Sequence, residues 1–205
     1  MGLLDRIRTV LGSRAAADAS RDADPEDLFG MSTAYVTMEA NLDYRPTGDA
    51  ALCFGDVDST DFQQVVDDVE AIVAAGEEET GTESTNAIDD YGYRWIVFHD
   101  PTFEDLVTSI HFAADTIVEG GFGSRLLAAV FGFQHRRHRT RAYWIYSFRR
   151  GSFYPFVPED VRERERDSTA EFKLESTLDG ELDIEDDRAY WYPLWPDERG
   201  GHPWE

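Results

Sequence analysis

The chain has 205 residues, and 42 Asp and Glu against 19 Lys and Arg give it a formal charge of −23 at pH 7. This charge disfavours free nucleic acid as a partner, because binding to phosphates needs a large basic surface. Hydrophobic residues at 41% and aromatic residues at 13% are too many for a disordered chain. No apolar run is long enough to predict a bilayer-spanning helix.

Residue usage predicts a cytoplasmic protein of a halophile. The single cysteine, Cys53, excludes a disulfide scaffold and a zinc site built from thiolates, and it fits a reducing cytosol. Lys173 is the only lysine beside 18 arginines. An acid-rich, lysine-poor surface is typical of proteins that stay hydrated in concentrated salt. An acidic mesophilic protein from a GC-rich genome is the alternative.

Residues 1–25 predict a short amphipathic helix, over 1–14, and a polar linker. The helix carries apolar residues at helical spacing, namely Leu3, Leu4, Ile7, Val10 and Leu11. It either covers the core of the body or binds a membrane or a partner helix. In the membrane case the protein is peripheral to the inner face of the membrane. Residues 26–205 are predicted to form a single α+β domain.

The first half of the body predicts two strands and a helix. Residues 34–42 alternate between apolar and polar, which indicates a strand, and the turn YRPTGD joins it to the strand ALCFG as a hairpin. Thr60 and Gln63 form a capping box that opens a helix, and Gly76 ends it. An acidic loop follows over 77–90.

The second half predicts a strand, a helix, a hairpin and a last helix. YGYRWIVFH is a strand, and Thr102 caps a helix that ends at Gly120. FGSRLLAAVFGF and RAYWIYSFRRGSFYPFVP form a hairpin around the basic loop HRRHRT, with bulges at Gly132 and Gly151. Ser168 caps the last helix, and the tail YWYPLWP packs on the body. The order predicts an α+β fold with a largely antiparallel sheet packed by helices.

No catalytic, metal or cofactor site is predicted. His135 and His138 bracket two arginines, but the two further ligands that a zinc site needs are not visible. His99 and His111 precede aspartates by one and four residues, a spacing that allows carboxylate–imidazole pairs for acid–base chemistry. No nucleophile accompanies them. The segment GGFGSR matches neither nucleotide-binding fingerprint.

The second strand of the hairpin is the predicted partner-binding surface. Six arginines lie between positions 136 and 150, and they either pair with the protein's own carboxylates or dock an acidic partner. Arginines beside large aromatics are typical of binding hot spots, and a bend at Gly151 turns two arginines outward. In the alternative, the aromatics all fill the core. The predicted contact residues are Arg149, Arg150, Gly151, Phe153, Tyr154 and Phe156.

The segments MGLLDRI, YRPTGDAALCF, GFGSRLLAAVFGF and YWIYSFRRGSFYPFVP together resemble the PspA-associated protein family PspAB. The resemblance implies a link to the phage-shock envelope-stress protein PspA and carries over no catalytic residue. The matching positions are Gly121, Phe122, Gly123, Gly132, Phe133, Arg150, Gly151, Phe153, Tyr154, Pro155, Phe156 and Pro158. The order of elements is also similar to that of type III secretion chaperones, which are binding modules.

The sequence therefore predicts a non-enzymatic interaction protein, accessory to a PspA-type envelope-stress response, with a PspA-like protein as its partner and no cofactor. Two alternatives remain open. One is an uncharacterised hydrolase that uses His99 or His111. The other is a peripheral membrane sensor that acts through residues 1–14.

We expect added salt to stabilise the protein substantially. A charge of −23 destabilises a compact domain through self-repulsion, and the screening length falls from about 10 Å at 0.1 M salt to about 3 Å at 1 M. Melting curves recorded from 0.1 M to molar KCl measure the effect. A melting midpoint that stays constant over this range would contradict the halophilic prediction.

Overall fold

The computed structural model describes residues 23–195, and a six-stranded antiparallel sheet lies at the centre of this part of the chain. Its strands are β1 (Tyr44–Gly55), β2 (Glu83–Ile88), β3 (Tyr93–His99), β4 (Leu126–His135), β5 (Arg141–Ser147) and β6 (Ser152–Phe156). Their order across the sheet is β2-β3-β1-β4-β5-β6. A small separate sheet pairs β7 (Pro158–Asp160) with β8 (Glu165–Arg166).

Helices pack on one face of the six-stranded sheet. They are α1 (Met31–Leu42), α2 (Thr60–Thr80), α3 (Phe103–Glu119) and α4 (Ser168–Leu178). A 3-10 helix over Pro25–Gly30 precedes α1. Apolar residues of all four helices and of this sheet face join in one core cluster. The predicted α+β class and the largely antiparallel sheet are confirmed, whereas the likeness to type III secretion chaperones and the division at residue 25 stay predictions.

Helix α3 supplies the centre of this core. Leu106 and Ile110 are fully buried, and the ring of Phe103 lies 5.8 Å from that of Phe131 in β4, measured between centroids. The helical spacing of these residues in the sequence is therefore a true core face. Val118 was expected to belong to it and is 40% exposed, because it falls at the edge of the buried stripe.

Residues 191–195 pack on the opposite face of the sheet. Trp191 stacks on Tyr154 of β6 with ring centroids 6.3 Å apart, and Trp195 meets Phe156 edge-on at 4.9 Å. All four side chains are at least nine-tenths buried. The prediction that the aromatic tail packs on the body is confirmed for residues 191–195, and it explains why strands β4 to β6 read as continuous apolar runs.

The predicted strand over residues 34–42 is wrong, because these residues belong to α1. Ala34 and Met38 are fully buried, whereas Val36, midway between them, is 53% exposed. Burial thus follows the four-residue spacing of a helix face and not the alternation of a strand. Asp43 ends the helix in the left-handed conformation, with φ at 58°.

The predicted hairpin around YRPTGD is also wrong, since this segment is part of the single strand β1. The pairing of β1 with β4 shifts register between Pro46 and Ala50. The extra residues of the bulge therefore lie in β1, opposite Gly132, and not at Gly132 itself as predicted. A Cβ atom at Gly132 would be 2.6 Å from the Thr47 hydroxyl oxygen, so only glycine lets the bulged strand approach this closely.

Helix α2 continues through Gly76, which was predicted to end it, and stops at Gly81. Its N-cap is Ser59, one residue before the predicted capping box, and the Ser59 hydroxyl accepts a hydrogen bond from the Phe62 amide. The predicted acidic loop over 77–90 is wrong, because it contains the last turn of α2 and the edge strand β2. Polar and acidic side chains on an edge strand hinder pairing with another chain.

The two glycines of α2 are expected to respond oppositely to alanine. Gly76 lies inside the helix with open space around a Cβ atom, so Gly76→Ala raises the free energy of unfolding by about 0.5–1 kcal/mol. Gly81 has φ at 85°, so Gly81→Ala lowers it by about 1–2 kcal/mol. Urea unfolding at constant molar KCl measures both variants, and changes of the same sign would refute this description of the helix end.

Candidate functional site

The predicted second strand of the hairpin is two strands, β5 and β6, joined by a tight turn over residues 148–151. Gly151 occupies the turn with φ at 63°, which confirms the bend expected there. The three aromatic residues of the predicted surface are at most 2% exposed. Phe153 packs in the core on the helix face, and Tyr154 and Phe156 pack on the opposite face. These side chains fill the core on both sides of the sheet.

Arg150 forms a buried ion pair with Glu185. Glu185 belongs to residues 183–195, the C-terminal segment of the described part of the chain. The Nε of Arg150 donates to Glu185 Oε2 at 2.6 Å and its Nη2 to Oε1 at 2.9 Å. The Ser152 hydroxyl donates to the same carboxylate at 3.0 Å, and the guanidinium lies 4.0 Å from the centre of the Tyr190 ring. The expectation that Arg150 faces outward is wrong, because this two-pronged pairing holds it inside.

The charge of Glu185 makes Arg150 a structural requirement. Burial raises the pKa of Glu185, but hydrogen bonds from Arg150, the Asp187 amide and Ser152 outweigh it, so the pKa lies below its usual range. Without Arg150 the carboxylate would be buried with no counter-charge, which costs about 3–5 kcal/mol. Replacement of Arg150 is therefore expected to destabilise the fold, whereas replacement of an exposed arginine would be nearly neutral.

Arg149 is the one arginine of the predicted surface that reaches solvent. It is partly buried, and its Nη2 donates to the Ser124 carbonyl oxygen. Its Nε is enclosed and meets no hydrogen-bond acceptor within residues 23–195. Burial and then the nearby charge of Arg125 lower the pKa of Arg149. The binding role of the predicted surface stays a prediction, and Arg149 is the residue through which a partner could contact it directly.

The basic loop between β4 and β5 is partly neutralised by the protein's own carboxylates. Arg136 binds Glu39 at 3.0 Å and Arg137 binds Asp43 at 3.2 Å. These exposed pairs hold the loop against the end of α1 and contribute little stability. Of the six arginines between positions 136 and 150, Arg136, Arg137 and Arg150 thus pair with the protein's own carboxylates, as the internal-pairing alternative expects.

His135 and His138 lie close together, with ring centroids 4.6 Å apart. The Nδ1 atom of His135 accepts hydrogen bonds from the amides of Arg137 and His138. Both rings line a cleft beside the loop. Within the described residues, no group of three or more His, Cys, Asp or Glu side chains has the geometry to hold a metal ion.

His99 and His111 do not form the carboxylate pairs expected from their sequence neighbours. His99 Nδ1 lies 2.8 Å from Asp49 on the adjacent strand, while Asp100 turns inward and accepts a hydrogen bond from Thr82 at 2.7 Å. His111 is 7% exposed, and its Nε2 lies 3.6 Å from Glu26. The structure thus brings neither histidine to the aspartate expected for acid–base chemistry.

Cys53 is a core residue of β1, as predicted. It is 3% exposed, and burial raises the pKa of its thiol well above the usual value. The thiolate is the reactive form of cysteine, so this environment keeps the side chain unreactive.

The second predicted contact surface consists of Leu3, Leu4, Ile7, Val10 and Leu11. It lies outside the residues that the structure describes, and its binding to the body, a partner or a membrane stays a prediction. Of the helices within residues 23–195, none combines the length and apolarity that crossing a membrane requires.

The fold defines an α+β protein with its sheet buried on both faces and a positive site at Arg125 and Arg149. A family model described as PspA associated protein B, PspAB, matches residues 1–204. The chain belongs to this family, which links it to PspA as an accessory protein. Searches of curated proteins and of solved structures gave no match.

Proposed function

We propose that the chain is a non-enzymatic accessory protein of a PspA-type envelope-stress response, and that it acts by binding a PspA-like partner. Membership of the PspAB family supports the link to PspA. The acid-rich, lysine-poor composition supports the cytoplasm of a halophile as its setting.

The observation that carries this proposal is the partly exposed guanidinium of Arg149, which lies close to the charge of Arg125. Its Nη2 is bound to the Ser124 carbonyl oxygen and its Nε is enclosed, so a partner can reach only the part of the guanidinium that is exposed. Arg125 adds a second positive charge close enough to lower the pKa of Arg149. A carboxylate from a partner would accept a hydrogen bond from Arg149 and offset the repulsion between the two arginines.

The position of this pair also favours recognition. Arg125 and Arg149 lie on two turns at the same end of the sheet, because Ser124 precedes β4 and its carbonyl oxygen binds Arg149. A positive site on a protein of charge −23 differs in sign from the protein as a whole. Such a difference orients an acidic partner and selects against basic ones.

We expect the double variant Arg125→Gln/Arg149→Gln to bind a PspA-like partner about tenfold more weakly or worse. The loss follows from hydrogen bonds to a charged group, which contribute about 1.5–3 kcal/mol each. Purified partner is titrated onto immobilised protein at molar KCl, where long-range attraction between exposed charges is screened but enclosed contacts are not.

The matched control is Arg162→Gln, which removes an exposed arginine from a distant turn beyond β7. Melting curves of all variants verify that the fold is intact. A folded double variant that binds the partner as tightly as the unmodified chain would show that this site is not the contact. Failure of the unmodified chain to bind any PspA-like protein would contradict the proposed function itself.

A further inference from the structure

A cleft of about 440 Å³ lies at the opposite end of β4 from Arg149. Its walls are the end of α1 and the start of β1, the turn between β4 and β5, and the first turns of α4. Seven of its lining residues carry hydrogen-bond donors in their side chains, namely Asn41, Tyr44, His135, His138, Thr140, Thr169 and Lys173. Three segments that are distant in the sequence thus bring donors to one place.

The two carboxylates in the cleft are already engaged. Asp43 binds Arg137 at 3.2 Å. Asp167 caps helix α4 and accepts hydrogen bonds from the amides of Thr169 at 3.1 Å and Ala170 at 2.9 Å. Lys173, in contrast, makes no ion pair with any residue from 23 to 195 and is exposed. Side chains with donors therefore outnumber the carboxylates in the cleft, and one of these donors is positively charged.

Tyr44 shows that the cleft has room for an acceptor. The residue is 7% exposed, and its hydroxyl has no hydrogen-bond partner in the described part of the chain. Burial and then the charge of Asp167 raise the pKa of Tyr44, so the hydroxyl keeps its proton. The Tyr44 hydroxyl is not among the enclosed atoms that lack a partner, so it is open to the cleft and can donate to a ligand there.

His135 presents a further donor. Its Nδ1 accepts two backbone amide hydrogen bonds, so in the neutral ring the proton is assigned to Nε2. Burial and then the neighbouring His138 lower the pKa of His135, which keeps the ring neutral at pH 7. The imidazole therefore donates through Nε2 and adds no positive charge of its own.

We propose that this cleft binds a small molecule through a phosphate group. Phosphate offers more acceptor oxygens and more charge than a carboxylate, which matches a lysine surrounded by several uncharged donors. The volume exceeds that of phosphate alone and falls in the range of small-molecule sites, about 300–1,000 Å³. The phosphate belongs either to a soluble phosphomonoester or to the headgroup of a lipid. This site is independent of the partner contact at Arg125 and Arg149.

The single lysine of the chain makes the site directly measurable. An amine-reactive acetylating reagent modifies Lys173 and the N-terminal amine, and peptide mass spectrometry follows both rates. The expected result at molar KCl is that glycerol 3-phosphate slows the acetylation of Lys173 severalfold and leaves the N-terminal rate unchanged. Glycerol, which lacks the phosphate, is expected to have no effect.

Calorimetric titration of variants with glycerol 3-phosphate measures how much each donor contributes to the affinity. Lys173→Gln and Tyr44→Phe should each weaken binding, Lys173→Gln by about tenfold or more because it removes a charge-assisted hydrogen bond. Arg45→Gln is the matched control, since it removes one positive charge next to Tyr44 but not from the cleft. Binding that survives both cleft substitutions unchanged would overturn the proposal.

Vesicles distinguish the two sources of the phosphate. Cosedimentation with phosphatidic acid vesicles, but not with phosphatidylcholine vesicles, together with sensitivity to Lys173→Gln, assigns the site to a lipid headgroup. Binding of glycerol 3-phosphate without cosedimentation assigns it to a soluble ligand. If inorganic phosphate, glycerol 3-phosphate and phosphatidic acid all fail to bind or to protect Lys173, the cleft is not a phosphate site.

Discussion

The ion pair between Arg150 and Glu185 is the contact on which the second half of the structure depends. It joins the turn between β5 and β6 to the C-terminal segment, and backbone hydrogen bonds between Phe153 and the segment lie directly beside it. The Glu185 carbonyl oxygen also accepts from the Trp191 indole at 2.8 Å. Because residues 191–195 pack on one face of the sheet, the ion pair fixes the segment that buries that face.

Within residues 23–195, some positive charges pair with the protein's own carboxylates and others lie at the two ends of the sheet. Arg136, Arg137 and Arg150 are each paired within the chain. Arg149 at one end and Lys173 at the other are not satisfied in this way within the described residues. In a protein of charge −23, a positive site that its own carboxylates do not neutralise is a natural contact for acidic or phosphorylated ligands.

The sequence predicts correctly those elements whose residues carry a strong local signal of their secondary structure. Helix α3 is recognisable because its buried side chains recur at helical spacing, and strand β3 because it is dense in aromatic and β-branched residues. Helix α1 is missed because its fully buried residues are few, and its polar residues fall by chance into alternation. The burial of Arg150 is missed because its counter-charge is 35 residues away. The cleft is missed for the same reason, since its donors come from distant segments.

Hydrogen exchange of the variant Glu185→Gln tests the central role of the ion pair most directly. The substitution keeps the shape of the side chain and removes its charge, so amides in residues 183–195 and in β6 should exchange faster while those in α3 stay protected. Glu175→Gln is the matched control, because it breaks a more exposed ion pair, which Glu175 makes with Arg188 of the same segment. Unchanged exchange over residues 183–195 would contradict the claim that Arg150 and Glu185 hold the C-terminal segment on the sheet.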